Sequence, residues 1–178
     1  MFFSKQLYTP EYKPEGTEIA ILETSKGTIK VKLDGEGAPI HVANFIELAM
    51  TEFYDGTKFH RYVPGFVIQG GDPLTKEMTS EEVVSGGKPG LGMPGTGGPD
   101  YCIKLEAKTN PRNSHEDGAL AMARSQAPDS AGSQFYFCLG AQHFLDPDYT
   151  VFGQTIEGRE VIEQLRAGDV LLSVRIEK

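Results

Sequence analysis

Apolar and polar residues alternate near the start of the chain. Ile19 and Ile21 stand apart by one residue, SKG supplies a turn, and Ile29, Val31 and Leu33 then share one side of 28–33 with Lys30 and Lys32 on the other. A period of two marks half-buried strands, so this segment reads as a hairpin with one wet face. The period changes in PIHVANFIELAM, where Val42, Phe45, Ile46 and Ala49 recur at the spacing of one helical face and Pro39 suits the first turn. From 58 to 141 short apolar runs are punctuated by Gly and Pro: KFHRYV, GFVIQ, YCIKLE, GALAMA and GSQFYFCLG, all read as strands. TVFGQTIEG continues the series. EVIEQLRAG follows as a short helix stopped by Gly168, and Val170, Leu172, Val174 and Ile176 alternate to the end.

About eight short strands and two helices, without strand-helix repetition, predict a mostly β protein: an antiparallel sheet or closed barrel with helices over its ends. Two segments stand outside this pattern. Residues 1–17 hold two prolines and little periodicity and read as an irregular leader before a single domain at 18–178. Between about 73 and 94 lies a Gly/Pro-rich insertion, and SGGKPGLGMPGTGGP, which begins within it, has ten Gly or Pro residues among fifteen, so it is loop. Thr79 to Glu82 within the insertion has the capping-box pattern for one helical turn.

Composition narrows the functional classes. A chain of 178 residues with 39% hydrophobic and 24% charged residues is ordinary globular material able to bury a substantial core. A net charge of -8 and a pI near 5.0 argue against a nucleic-acid partner, which clustered Lys and Arg would mark. No stretch approaches a membrane span and the N-terminus lacks a secretory apolar run, so no membrane role is expected. Cys102 and Cys138 show no zinc or redox spacing and read as thiols of a reducing, cytoplasmic compartment.

Three signals point elsewhere and fail on context. Gly90, Gly92 and Gly95 match G-x-G-x-x-G, but Pro94 and Pro99 interrupt the place where a dinucleotide-binding helix has to open. His41, His60, His115 and His143 have no metal-ligand spacing, so neither metal nor cofactor is expected. Ser133 with His60 and Asp72 names a hydrolase triad, yet AGSQF lacks the nucleophile elbow.

What survives is a set of polar residues on apolar strands. Arg61 and Gln69 stand within FHRYVPGFVIQGGDP, where a buried strand excludes a cation. In GSQFYFCLG, alternation puts Phe135, Phe137 and Leu139 on a core face, and Gln134, Tyr136 and Cys138 on the other, a candidate binding surface.

FHRYVPGFVIQGGDP, ALAMAR, AGSQFYF and FLDPDYTVFG, in this order and spacing, closely resemble the cyclophilin family of peptidyl-prolyl cis/trans isomerases, of the bacterial type, over roughly 18–178. The resemblance implies a closed eight-stranded antiparallel β-barrel with a helix at each end. It implies that Arg61 is the catalytic arginine and that Gln69 braces it. Phe66, Val67, Tyr136 and Leu145 resemble the walls of a proline pocket. Ala123, Arg124 and Gln134 match positions that hold the residues before the proline, Gly95 matches a groove glycine, and Phe144 and Tyr149 fall at the rim. The implied partners are proline-containing peptides and unfolded or flexible protein segments, and a monomer is the family's usual state.

Those residue types suit the chemistry. An X-Pro amide resists rotation by about 18–20 kcal/mol, and no bond is broken when it turns, so no nucleophile is needed. As the amide twists, its nitrogen regains a lone pair that accepts a hydrogen bond the planar ground state refuses. A donor aimed there stabilises the transition state selectively. Arginine donates without acting as a base.

Five positions depart from the best-known eukaryotic pattern: Phe144 for tryptophan, Tyr149 for histidine, Tyr136 for phenylalanine, Val67 for methionine and Arg124 for asparagine. Without the indole N–H at 144 the resemblance implies only weak cyclosporin binding. The insertion at 73–94 is longer than the family's usual segment and reads either as a rim that restricts substrates or as a tolerated surface loop. The rival to the enzyme is a non-catalytic proline-peptide binding module, which needs the pocket but not the Arg61 donor.

Overall fold

The computed structural model describes residues 5–178. Its strands, in chain order, are β1 (Gln6–Leu7), β2 (Ile19–Thr24), β3 (Gly27–Leu33), β4 (Thr57–Lys58), β5 (Arg61–Val63), β6 (Val67–Gly70), β7 (Tyr101–Cys102), β8 (Ala119–Met122), β9 (Phe135–Cys138), β10 (Val151–Glu157) and β11 (Val170–Glu177). The helices are α1 (Pro39–Met50), α2 (Ser80–Ser85) and α3 (Arg159–Gln164). Nine strands form one curled antiparallel sheet in the order β4-β11-β2-β3-β10-β8-β9-β6-β5, a half-barrel. β1 and β7 pair in parallel beside it.

Two of the runs read as strands are redistributed: YCIKLE keeps only Tyr101–Cys102, paired with β1 outside the nine-stranded sheet, and the run KFHRYV does not stay straight but serves two strands. Thr57 and Lys58 pair with β11, whereas Arg61 to Val63 pair with β6. Phe59 and His60 make the corner: the Phe59 N–H donates to the Asp169 carbonyl and the His60 N–H to the Gln69 carbonyl, each at 2.9 Å. The two edge strands are thus consecutive in the chain.

The core lies inside the curl. Ile29, Val31 and Leu33 of the hairpin, Ile68, Leu120, Phe135 and Phe137 of the opposite strands, and Val42, Phe45 and Ile46 of α1 are buried together. Phe135 meets Phe45, Tyr54, Phe59 and Phe137 edge to face. That is the preferred arrangement for aromatic quadrupoles. α1 has Ala38 at its start and no local side chain to cap it. The Glu106 carboxylate supplies the cap from afar, accepting from the Ile40 N–H at 3.0 Å and the His41 N–H at 2.7 Å while also bonding His41 Nδ1. Those N–H groups have no intrahelical partner, so a buried helix start without such an acceptor is costly.

Two further carboxylates fasten residues 5–17. Glu47, on α1, accepts from the Tyr8 hydroxyl and from the Glu11 and Tyr12 N–H groups. Buried Glu18 accepts from the Tyr12 hydroxyl and from the N–H groups of Glu15, Gly16 and Thr17. Burial opposes ionisation of Glu18, but this shell of donors outweighs it and holds the carboxyl below its ordinary value.

The segment 73–94 is tied down as well. Asp72, fully buried, accepts from the Leu74 N–H at 2.9 Å, which starts a 3-10 turn, and from the Gly95 N–H at 2.6 Å. One carboxylate therefore holds both ends. Inside the segment, α2 opens with the capping box of Thr79 and Glu82 and ends at Gly86, whose φ of 107° favours glycine. No helix follows Gly95: turns and bends lead to β7, so the dinucleotide reading of the glycine motif falls away.

Candidate active site

The site is built by strand register. Across β5, β6, β9, β8 and β10, the residues Arg61, Gln69, Tyr136, Ala121 and Val151 stand opposite one another in a single row. Side chains alternate along a strand, so this row faces away from Ile68, Phe137 and Phe135, which point into the core. The outward face is itself largely apolar: Val67, Ala119, Ala121, Tyr136, Cys138 and Val151 are buried together, with Phe66, Ala123, Leu145 and Tyr149 packed against them.

Over this patch lies an open cavity of about 450 Å³. Of the residues singled out from sequence, Arg61, Phe66, Val67, Gln69, Gly95, Ala123, Arg124, Tyr136, Leu145 and Tyr149 line it. Gln134 lines an adjoining cavity of about 200 Å³. Phe144 stands outside both, 69% exposed, with its ring stacked on Phe66 at 5.8 Å. Phe66 lies in the turn between β5 and β6, and Leu145 ends the 3-10 turn His143–Leu145, so loops supply the walls and strands the floor.

Arg61 is exposed, and its guanidinium carbon lies 5.8 Å from the centre of the Phe66 ring. Among the described residues it has no hydrogen-bond or ion-pair partner, which leaves its five N–H donors facing the cavity and solvent. Among the described residues no side-chain hydrogen bond joins Gln69 to Arg61. Gln69 Nε2 donates to Gln134 Oε1 at 3.1 Å, because register sets Gln69 opposite Arg61 on one side and the Gln134 amide closes on it from the other. Gln134 in turn donates to the carbonyls of Gly95 at 2.9 Å and Gly97 at 2.8 Å. Both its N–H groups are spent on the glycine loop, so this amide clamps the loop to the sheet.

The Tyr136 hydroxyl is also turned away from the cavity. It bonds His115 Nε2 at 2.8 Å, and His115 Nδ1 bonds Asp146 Oδ1 at 2.7 Å. Tyr136 is 4% exposed, and burial, chiefly, pushes its phenol well above the ordinary range. Burial likewise holds the His115 imidazole below its ordinary value, against the pull of Asp146. A neutral His115 that gives its Nδ1 proton to Asp146 and accepts the phenol proton at Nε2 satisfies all three groups. The phenol read from strand alternation as part of a binding surface therefore offers the cavity only its ring.

His60, set aside above as a metal or triad candidate, and Pro94, read only as a helix breaker, also line the cavity. Burial keeps the His60 imidazole below its ordinary value, and its Nδ1 is buried without a partner among the described residues. Its adjacency to Arg61 in the sequence was the available signal. Gly95 has a φ of 95°, and a Cβ there would come within 3.3 Å of His60 Nε2, so glycine keeps this wall of the cavity open. Among the described residues no group of three His, Cys, Asp or Glu side chains can hold a metal, and no helix is long and apolar enough to cross a membrane.

The curled antiparallel sheet thus carries a cavity on its outer face with an arginine, unpaired among the described residues, at the mouth. The family model of cyclophilin type peptidyl-prolyl cis-trans isomerases matches residues 19–178, and the chain belongs to that family. It is 43% identical over 159 residues to a peptidyl-prolyl cis-trans isomerase of Synechococcus elongatus, covering 88% of this chain and 94% of the relative. It is 42% identical over 149 residues to peptidyl-prolyl cis-trans isomerase B of Bacillus subtilis, covering 84% and 90%. A cyclophilin type isomerase of Cryptosporidium parvum, solved in the presence of the dipeptide Ala-Pro, superposes with a TM-score of 0.72 at 26% identity, covering 90% of this chain and 99% of that one. The protein is an enzyme that interconverts cis and trans X-Pro peptide bonds.

Proposed function

We propose that the X-Pro bond turns in the cavity beside Arg61, and that Arg61 donates to the amide nitrogen as it becomes pyramidal. The observation that carries this is the guanidinium itself: a charged donor with no partner among the described residues, set at the edge of an apolar cavity. The Ala-Pro dipeptide present with the Cryptosporidium parvum relative supports proline peptides as the occupant. Phe66, Val67, Leu145 and the ring of Tyr136 grip the proline ring, while Ala123, Arg124 and Gly95 line the path of the neighbouring residues. Tyr149 flanks this path and Phe144 extends the rim. Gln69 and Gln134 are positioning residues that hold the glycine loop in place. One charge-assisted hydrogen bond in a partly desolvated site supplies about 1.5–3 kcal/mol, or about one to two decades of rate. Orientation of the held ring supplies the rest.

The finer features follow the same reading. The Phe59–His60 corner, which links the edge strands β4 and β5 and bonds Asp169 beside β11 and Gln69 of β6, supports a sheet that closes as a barrel. The clients are flexible or unfolded segments that present X-Pro bonds during folding. Unpaired Cys102 and Cys138 support a reducing compartment, the cytoplasm. Phe144 has no ring N–H to donate, which supports weak cyclosporin binding.

The test is the cis-trans exchange rate of a short Ala-Pro peptide by NMR, with wild type and Arg61→Ala side by side. Strong acceleration that drops about ten- to hundredfold in the mutant, with peptide binding retained, is the expected result. Undiminished acceleration in Arg61→Ala removes the donor role. Binding without acceleration by the wild type leaves a binding module in its place.

A further inference from the structure

The two adjoining cavities share Gln69, Gly95, Ala123 and Arg124, so together they make one groove that runs from the Arg61 cavity beneath the glycine loop. Its charge is one-sided. Lys5, Arg61 and Arg124 line it, and among the described residues no Asp or Glu does. This occurs in a chain with 25 acidic and 17 basic residues, where a groove lined at random carries carboxylates.

Among the described residues no carboxylate forms an ion pair with these cations. Asp72 is buried behind the loop with both oxygens accepting backbone N–H groups. Asp129 accepts from the Leu105 N–H, and Asp148 meets Arg124 through its backbone carbonyl. Asp100 follows Pro99 outside the lining.

The cations are also held in place with donors to spare. Arg124 gives Nε to the Asp148 carbonyl and Nη1 to the carbonyls of Ser125 and Gln126, and lies 4.9 Å from the Tyr149 ring centre. Its Nη2 has no partner among the described residues. Lys5 gives one N–H to the Pro99 carbonyl at 2.8 Å. It reaches the groove because β1 pairs with β7 and Tyr8 is fixed by Glu47 and packs on Tyr101 at 4.6 Å. The leader is thereby part of the groove wall. Gln134, whose N–H groups are both taken by loop carbonyls, cannot provide an anion site in their stead.

From this segregation we infer that the enzyme selects X-Pro segments carrying an acidic side chain close to the proline, read by Lys5 and Arg124. The inference rests on the reading that proline occupies the Arg61 cavity. It assigns residues 5–8 a role in substrate choice, beyond any role in the fold.

The experiment uses the full chain and Ala-Pro peptides in which Glu, Gln or Lys stands one, two or three residues from the proline on either side. Exchange acceleration and binding are both measured by NMR, and amide shifts of the protein locate each peptide. At low ionic strength the Glu peptide at the best position exceeds its Gln counterpart by about five- to tenfold in kcat/KM and in affinity, and 0.5 M salt cuts this to about twofold or less. Lys5→Gln and Arg124→Gln each lower the Glu/Gln ratio, whereas the charge-matched control Lys32→Gln on β3 leaves it unchanged. Equal Glu and Gln values at every position, or a ratio that neither variant alters, overturns the inference while leaving the site reading intact. Neutral proline peptides that shift signals away from the Arg61 cavity overturn the site reading itself.

Discussion

Strands β5, β6, β8 and β9 present two faces made from alternate residues of the same short segments, and the two are built by different rules. On the inner face Ile68, Leu120, Met122, Phe135 and Phe137 contribute no polar side-chain group. On the outer face Gln69 and Tyr136 are interleaved with Val67, Ala121 and Cys138, and each polar tip is led away to a partner on a loop: Gln69 to Gln134, Tyr136 to His115. The inner face needs only volume and shape. The outer face, as the floor of the proposed site, has to remain apolar toward the cavity while satisfying the groups that stiffen it. Arg61 is the exception, since nothing among the described residues claims its donors. On the proposed site, the pleat of the sheet separates the groups that hold the fold from those that meet the substrate.

This separation can be broken from either side. Phe135→Ala removes the ring that meets four other aromatic side chains, and a loss of about 3–5 kcal/mol is expected in urea unfolding. Residual activity per folded molecule should stay close to wild type, and a specific loss of kcat at full folding would join the two faces after all. Arg61→Lys, on the outer face, keeps the charge but loses the planar fork. Its kcat/KM for an Ala-Pro peptide should fall about tenfold or more with the urea midpoint unmoved.

Smaller effects sharpen the picture. Tyr136→Phe deletes the donor to His115 Nε2 and leaves a buried acceptor unpaired, at a cost of about 1–3 kcal/mol in stability. Because the phenol already faces away from the cavity, kcat/KM is expected to remain within about threefold of wild type. A much larger loss of rate means that the hydroxyl acts on the substrate. The pH dependence is gentler. Burial depresses the imidazoles of His60 and His115 in the folded protein, so below pH about 6.5 the unfolded chain takes up protons first. Their contribution to stability is complete above that pH and declines as pH falls from about 6.5 toward the folded-state values. Urea midpoints at stepped pH should show the decline, and His115→Gln should flatten it. A midpoint that rises on acidification contradicts the neutral assignment.

How much of this was legible beforehand follows the same division. Period-two alternation located β2, β3, β9 and β11, and helical spacing located α1, because both depend on neighbours in sequence. Motif spacing brought Arg61, Phe66, Val67, Tyr136 and Leu145 to one cavity. Partners were another matter. Alternation assigns a residue to a face and says nothing about the side chain 21 positions away that turns the Tyr136 hydroxyl inward. KFHRYV read as one strand because a bend at Phe59 and His60 costs no change in apolar pattern. Lys5 carried no signal at all, since its place in the groove depends on a two-residue strand and on Glu47 fixing Tyr8.

The cap on α1 also sets an order of events during synthesis. His41 leaves the ribosome 65 residues before Glu106, the acceptor that completes the start of its helix. At about 5–20 residues per second the nascent chain waits about 3–13 s for that carboxylate. For that interval the 12-residue α1 segment, short for an independent helix, lacks the acceptor for its first turn and also β10 and β11, against which it packs in the fold. The first turn of α1 is therefore completed only after most of the middle third of the chain has been made.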